Sequence, residues 1–305
     1  MTIKSSVEEI IELVPELARP QRIVSELPGG LTNVNHKVTT DLGSYVVRRW
    51  TDDSGLLSIS RENEYENSRR AAEVGIGAPV VAYLPAQSAM VFGFLPGEVM
   101  TPHKLREGRY MQAAARSCAR LHTARRFLSD FNMFELQASY LELVHTRGFR
   151  LPDRYEQFGP QVQAIRDALA VQDEGTVPCH NDLLAANLIA GGDHGFHLID
   201  YEYSGNNDPC FELGNLWSES GLSVAQLEEL VTAYYGRPLR HKVARARLWG
   251  LISKYGWMLW ASIQDGASEL EFDFWSWGLE KYDRAVLEFD SPAFEHWLSE
   301  ARRPD

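Results

Sequence analysis

The chain has few cysteines, no long apolar run and a shortage of basic residues. Its 305 residues hold three cysteines, Cys118, Cys179 and Cys210. An odd number without a C-x-x-C pair excludes a disulfide framework and predicts reduced, buried thiols. No stretch approaches the ~18 uninterrupted apolar residues of a transmembrane helix, so no membrane partner is expected. The N-terminal run MTIKSSVEEIIELVPEL has acidic residues where a secretory signal has its apolar segment, which predicts a cytoplasmic protein. Lys plus Arg total 30 against 42 for Asp plus Glu, a net charge of −12. That balance argues against nucleic acid, whose binding draws on phosphate neutralisation, and is compatible with a cationic substrate. There is no G-x-x-x-x-G-K-[ST], so a P-loop nucleotide site is excluded. There is also no internal repeat and no low-complexity linker.

What is present divides the chain in two. Residues 5–18 form an amphipathic helix with Val7, Ile10, Ile11 and Val14 on one side. Strand-like runs follow at Ile23 to Leu27, Asn35 to Thr40 and Ser44 to Trp50, punctuated by Pro28-Gly29-Gly30 and Asp41-Leu42-Gly43. Residues 59–75 are helical up to Gly75 and Gly77, and two more strands fall at about 79–84 and 89–95. From roughly residue 104 the pattern is helical except near 177–200. The expected architecture is α+β with two lobes. A small antiparallel-sheet lobe with one helix covers 1–95, and a larger, mainly helical lobe covers 96–305, joined near Phe94 to Gly97. Clefts between such lobes are favoured ligand sites.

The stretch richest in chemistry is Cys179-His180-Asn181-Asp182-Leu183-Leu184-Ala185-Ala186-Asn187-Leu188-Ile189, followed by Phe196-His197-Leu198-Ile199-Asp200-Tyr201-Glu202. Two short apolar runs flank the turn sequence Gly191-Gly192-Asp193-His194-Gly195, so a hairpin is expected. It would bring Asn187 and Asp200 together at one end. An amide oxygen and a carboxylate are hard ligands suited to Mg²⁺ with its waters and phosphate oxygens. Asp182, five residues before Asn187, is placed to accept a proton from an incoming hydroxyl. Alone, Asp182 would read equally well as a helix N-cap. With His180, Asn187 and Asp200 in register, the spacing H-x-D-x-x-x-x-N plus a strand-borne Asp matches the catalytic scheme of protein kinases. His180 is expected to orient the loop, not to act as a base.

In the first lobe, the turn at Gly29-Gly30-Leu31-Thr32-Asn33 can bring backbone N–H groups, Thr32 and Asn33 to phosphates. In Tyr45-Val46-Val47-Arg48-Arg49-Trp50, strand alternation lets only one of Arg48 and Arg49 face the cleft. Glu64 on the following helix is the candidate partner for that cation.

These pieces resemble the aminoglycoside-phosphotransferase/choline-kinase superfamily, and within it the bacterial choline/ethanolamine kinases. The matching segments are GGLTNVNHKV at 29–38, YVVRRW at 45–50, RENEYENSRRAAEVGIGAPVV at 61–81, MVFGFLPGEVM at 90–100, HNDLLAANL at 180–188 and LIDYEYSGNNDPCFELGNLWSE at 198–219. The resemblance implies a protein-kinase-like fold and ATP- and Mg²⁺-dependent phosphorylation of an alcohol. It implies Asp182 as base or orienting group and Asn187 and Asp200 as metal ligands. Gly30, Thr32, Asn33, Arg48 and its partner Glu64, with Phe92, Phe94 and Leu95, are then the nucleotide grip. The family usually has Asp where this chain has Glu212, which leaves the support of the loop open.

Residues 249–282 hold nine aromatics, including five of the eight Trp, against 11% aromatic overall. Trp275, Leu279, Tyr282, Val286 and Phe289 share one helical stripe and are expected in the core. Phe274 and Trp277 form a second stripe on that helix, and Trp257 and Trp260 lie one turn apart on the preceding one. A quaternary ammonium donates no hydrogen bonds and is held by rings and anions. Trp257, Trp260 and Trp277, with Glu202 and Glu219, are therefore the candidate substrate pocket, and Asp208 a further candidate anion. The expected function is a small-molecule kinase acting on an amino alcohol, foremost choline, with a homodimer as the candidate assembly. Its rivals are kinases of the same superfamily acting on ethanolamine, thiamine, an aminoglycoside or a sugar, or a catalytically silent binding relative.

Overall fold

Residues 5–28, 33–50, 56–107, 109–191 and 195–305 are described by the computed structural model. Helix α1 (Val7–Leu13) opens with a capping box in which Ser6 and Glu9 satisfy each other's backbone N–H. Five antiparallel strands follow: β1 (Arg22–Leu27), β2 (Asn33–Thr40), β3 (Gly43–Trp50), β4 (Val80–Leu84) and β5 (Ala89–Gly93). They pair in the order β1-β2-β3-β5-β4. The register pairs Thr40 with Gly43, so the β2–β3 turn is the two residues Asp41 and Leu42. One face of this sheet, carrying Val38, Val47, Ala89 and Val91, buries Val7, Ile10, Ile11 and Val14. The sheet region thus has both helices expected from the sequence pattern, α1 and α2 (Arg61–Glu73), and not the single helix assigned to that lobe.

Alternation along β3 settles which arginine faces which way. Val47 faces α1, so Arg49 shares that side and donates through Nη1 to the Ser5 carbonyl at 3.0 Å. Arg48 points to the opposite side of the sheet.

The rest is mainly helical, including α3 (Pro102–Leu105), α4 (Met111–Leu121), α6 (Gly159–Val171) and α8 (Val224–Tyr235), around short ladders. Strand β6 (Glu98–Val99) pairs with β8 (Leu188–Ala190), which pairs with β9 (Phe196–Leu198). Strand β7 (Val177–Cys179) pairs with β10 (Gly205–Asn207). Helix α9 (Arg240–Ala267) runs through the larger core, with α7 (Pro209–Ser220), α5 (Met133–Arg147) and α10 (Phe274–Phe289) against it. Two glycines set these approaches. A Cβ on Gly214 would fall 2.0 Å from the Ala246 carbonyl oxygen, and one on Gly278 would fall 2.4 Å from the Ala261 Cβ. Only glycine lets α7 and α10 approach α9 this closely, which carries Glu212, Asn215 and Trp277 toward the site. The larger core is continuous and takes in Leu57, Ile59, Ala71 and Ile76 as well, so α2 packs on it too. No helix among the described residues is long and apolar enough to cross a membrane.

Candidate active site

The loop between β7 and β8 is held by side chains from three directions. Asn181 adopts a left-handed conformation, φ +67°. Its amide nitrogen donates to the Tyr203 and Gly205 carbonyls at 3.0 and 3.3 Å, and its oxygen accepts from Asn207 at 2.9 Å. On α7, Glu212 takes the His180 and Asn181 N–H groups on its two oxygens, each at 2.9 Å. One turn on, Asn215 accepts the Leu183 N–H at 2.6 Å and donates to Ser253 of α9 at 3.0 Å. Glu212 thus supports the loop, which the resemblance left open. Behind it, the His122 imidazole lies 3.8 Å from Glu212 and bonds to the Tyr234 hydroxyl at 2.6 Å. Burial opposes ionisation of Glu212, but His122 and the contacts from His180 outweigh it and hold the carboxyl below its usual range.

His180 itself is fully buried, which pushes its imidazole below the ordinary histidine value. Its Nδ1 accepts the Asp182 N–H at 3.3 Å, so Nε2 carries the proton and donates to the Ile199 carbonyl at 2.7 Å. The imidazole therefore ties the loop to β9 and is not free to take a substrate proton.

The expected hairpin forms, with Leu188 opposite Leu198 and the Ile199 N–H on the Asn187 carbonyl at 3.0 Å. Asp182, Asn187 and Asp200 all line one cavity of about 550 Å³. The Asn187 amide nitrogen is engaged with the Asp182 carbonyl at 2.9 Å, which leaves its oxygen for a cation. The Asp182 carboxyl is raised well above the usual aspartate range, first by burial and then by Glu219, Asp200 and Glu202; Lys281 works the other way. A raised pKa makes a stronger base, suited to accepting a hydroxyl proton.

Arg48 crosses from the sheet into this centre. Its Nη1 lies 2.8 Å from Glu64 and 2.7 Å from Asp200. Burial disfavours its charge, but Asp200 and Glu64 more than compensate and raise the pKa. A second buried guanidinium, Arg61, was not anticipated from the sequence. It reaches Glu64 at 2.6 Å, Glu202 at 3.2 Å and the Asn33 oxygen at 3.3 Å. Its one signal was the i, i+3 spacing to Glu64. Glu202 bonds to Arg61 and to the Asn33 amide, and it lines the same cavity as the tryptophans. Glu64, Asp200 and Glu202 each offer an oxygen within 4.8 Å of the others. That all-oxygen, carboxylate-rich set, with Asn187 lining the same cavity, fits Mg²⁺. Gly30 and Thr32 lie outside the described residues.

Along the same cavity, Phe92, Phe94 and Leu95 form an apolar wall below the sheet. Arg48 sits 5.6 Å from the Phe92 ring centre. At the other end, Trp257, Trp260, Trp277 and Glu219 line the space. The Trp260 and Trp277 ring centres are 5.5 Å apart at 63°, and Tyr203 stands edge-on to Trp257 at 4.9 Å. Tyr203 also lines the cavity; it sat unremarked in the segment around Asp200. The expectation for Asp208 is corrected. It caps α7 through the Cys210 N–H at 2.8 Å and binds Arg245 and the Trp249 indole, away from the cavity. A carboxylate engaged by a buried guanidinium and an N-terminal amide is structural. Phe274 is also core, 2% exposed and against Trp260.

Comparison with known proteins adds the following. The profile of the phosphotransferase enzyme family matches residues 23–246. Ethanolamine kinase 2 of Mus musculus is 26% identical over 304 residues, which covers 90% of this chain and 78% of that protein. A choline/ethanolamine kinase family protein from Mesorhizobium loti has a crystal structure that superposes with a TM-score of 0.84 at 28% identity, covering 96% of this chain and 97% of that one. The crystal structure of choline kinase LicA from Streptococcus pneumoniae shares the fold, with a TM-score of 0.76 at 23% identity over 97% of this chain and 99% of that one.

Proposed function

We propose, from the premise that this chain belongs to the phosphotransferase enzyme family, that it transfers the γ-phosphoryl group of ATP to the hydroxyl of a small amino alcohol, foremost choline. One observation carries the reading. A single cavity is lined by a candidate base, Asp182, two oxygen ligands, Asn187 and Asp200, the buried cation Arg48 and a group of three tryptophans. The names of the relatives are in accord with it. We place the division of labour at residues 95 and 96, with the sheet lobe gripping the nucleotide and the helical lobe holding the alcohol.

The chemistry follows from the positions. The adenine would lie against Phe92, Phe94 and Leu95. Arg48, held by Glu64, would meet the phosphates. Asn187 and Asp200, with Glu202 nearby, would hold Mg²⁺, which supplies charge neutralisation on the phosphates. Asp182 orients the hydroxyl and accepts its proton as the bond to the γ-phosphorus forms and the bond from that phosphorus to the bridging oxygen breaks, with ADP as the leaving group. Phosphoryl transfer passes through a loose transition state, so alignment and electrostatics account for most of the rate. The tryptophan rings would hold the ammonium at ~0.5–2 kcal/mol per ring.

A second reading, ethanolamine, is favoured by one atom. Glu219 Oε1 is buried without a hydrogen-bond partner among the described residues, an acceptor that a primary ammonium can satisfy and a quaternary one cannot. ATP consumption by the purified protein with choline, ethanolamine, thiamine, aminoglycosides and simple sugars separates these. Turnover confined to sugars or aminoglycosides, or absent throughout, overturns the proposal.

A further inference from the structure

Two side chains that line the tryptophan end of the cavity are already in contact with a buried cation. Lys281 stands one helical turn after Trp277 on α10 and is 4% exposed. Its ammonium forms an ion pair with Glu219 Oε2 and lies 4.2 Å from the centre of the Trp277 ring. Glu219 and Trp277 both line the cavity. The Glu219 side chain is 1% exposed, and its other oxygen has no hydrogen-bond partner among the described residues. The two features that would draw a substrate cation, a ring and a carboxylate, are therefore each partly engaged by an internal ammonium.

Burying a lysine is costly unless its charge has a use, and an apolar side chain at 281 could pack against Trp277 as well. Resting on the functional reading above, we propose that Lys281 is a specificity-determining residue: it sets how strongly the pocket prefers a positively charged alcohol over a neutral one of the same shape. Two opposed actions follow from its place. In the empty pocket its ammonium pairs with the buried carboxylate of Glu219, which is costly to leave without an opposite charge. In the filled pocket it repels the incoming cation, since both face the same carboxylate and ring in a poorly screened space. Glu219 strengthens cation binding and Lys281 moderates it. The pocket releases a charged product more readily than an unpaired carboxylate would allow. The same ammonium partly offsets the rise that burial and Glu219 impose on the Asp182 carboxyl.

The test compares choline with its neutral carbon isostere, 3,3-dimethylbutan-1-ol, by calorimetric dissociation constants and by ATP consumption. Glu219→Gln is expected to lower the preference for choline. Lys281→Met is expected to raise it by roughly tenfold, the effect of one repulsive charge removed at short range in an environment of intermediate dielectric. Lys281→Arg, which keeps the charge, is expected to stay within about twofold of the unmodified protein, a spread of under half a tenfold step. Where Lys281→Met does not fold, the Glu219→Gln/Lys281→Met double variant is compared with Glu219→Gln alone. Repulsion then acts with no carboxylate to leave unpaired, and the preference for choline still rises. A preference unchanged or lowered in both comparisons, with choline-dependent ATP consumption intact, overturns the role of Lys281 alone. No amino-alcohol-dependent consumption by the unmodified protein overturns the functional reading and the proposal together.

Discussion

Replacing Glu212 by Gln tests whether α7, and not the loop's own turn chemistry, holds Asp182 in place. Both carboxylate oxygens are engaged, on the N–H groups of His180 and Asn181 at 2.9 Å each, and the side chain is fully buried. Gln keeps the volume but offers one acceptor. Its –NH₂ turns a donor toward the second N–H, so one buried amide loses its partner at a cost of about 1–3 kcal/mol. The surviving bond loses its charge assistance, worth about 1 kcal/mol more. The sum, about 2–4 kcal/mol, is a large part of a typical total of roughly 5–15 kcal/mol. The loop responds as well. Asn181 at φ +67° is held in a conformation that a non-glycine residue keeps only while its surroundings impose it. Relaxation there moves the next residue, Asp182, and a displacement on the order of 1 Å costs on the order of 10²-fold in kcat. The expected result is a lower urea midpoint and a fall of that order in kcat, with the KM for ATP little changed. The pH dependence has a definite sign. The carboxyl of Glu212 is held below its usual range in the fold, so its contribution is present above the unfolded value and lost as pH falls through the folded one. The stability gap between the two proteins should therefore close on acidification, below about pH 4. A Gln variant matching the unmodified protein in urea midpoint and kcat, or a gap that widens toward acid pH, refutes this account of the anchor.

Further outcomes are expected. Asp182→Asn should lower turnover by ~10²–10⁴-fold, the usual worth of a positioned base, while nucleotide titration shows binding largely intact. In the unmodified protein the acid limb of kcat/KM should lie above ~4, because the active base is the ionised form and burial raises the pKa through which it is lost as pH falls. Arg48→Met should raise the KM for ATP by roughly tenfold, the loss expected for one charge-assisted phosphate contact. Arg49→Met, which removes only a bond to the Ser5 carbonyl, should leave the kinetics unchanged. Trp257→Ala or Trp260→Ala should raise the KM for choline by about 3- to 30-fold, at ~0.5–2 kcal/mol per ring, without moving that for ATP. If neither Trp variant moves it, the ammonium binds elsewhere.

Much of the architecture was legible because it is written in local pattern. Alternation in Ser44 to Trp50 names a strand, though not which of its faces is buried, and the 3.6-residue spacing of Val7, Ile10 and Ile11 names a helix and its buried face. The chemistry-bearing hairpin was legible for the same reason: Asn187 and Asp200 meet across a short turn, and pairing of Leu188 with Leu198 suffices to bring them together. Glu202 and Asp208 were less so. Both are acids in the same polar run, and nothing in their order tells which one meets Arg61 and which one meets Arg245.

The sequence by itself therefore determined the elements, the catalytic spacing and the family, since each depends on residues close together in the chain. Only the tertiary structure decided what lies between distant helices: that Glu212 grips the loop, that Arg61 joins Arg48 at Glu64, and that Lys281 sits between Glu219 and Trp277. The partners in those contacts come from separate elements brought within reach by close crossings such as Gly214 against Ala246 and Gly278 against Ala261. A charged side chain on a helix carries no local mark of its partner. Its role is fixed by burial, which makes an unpaired charge too costly and compels the nearest opposite charge to answer it.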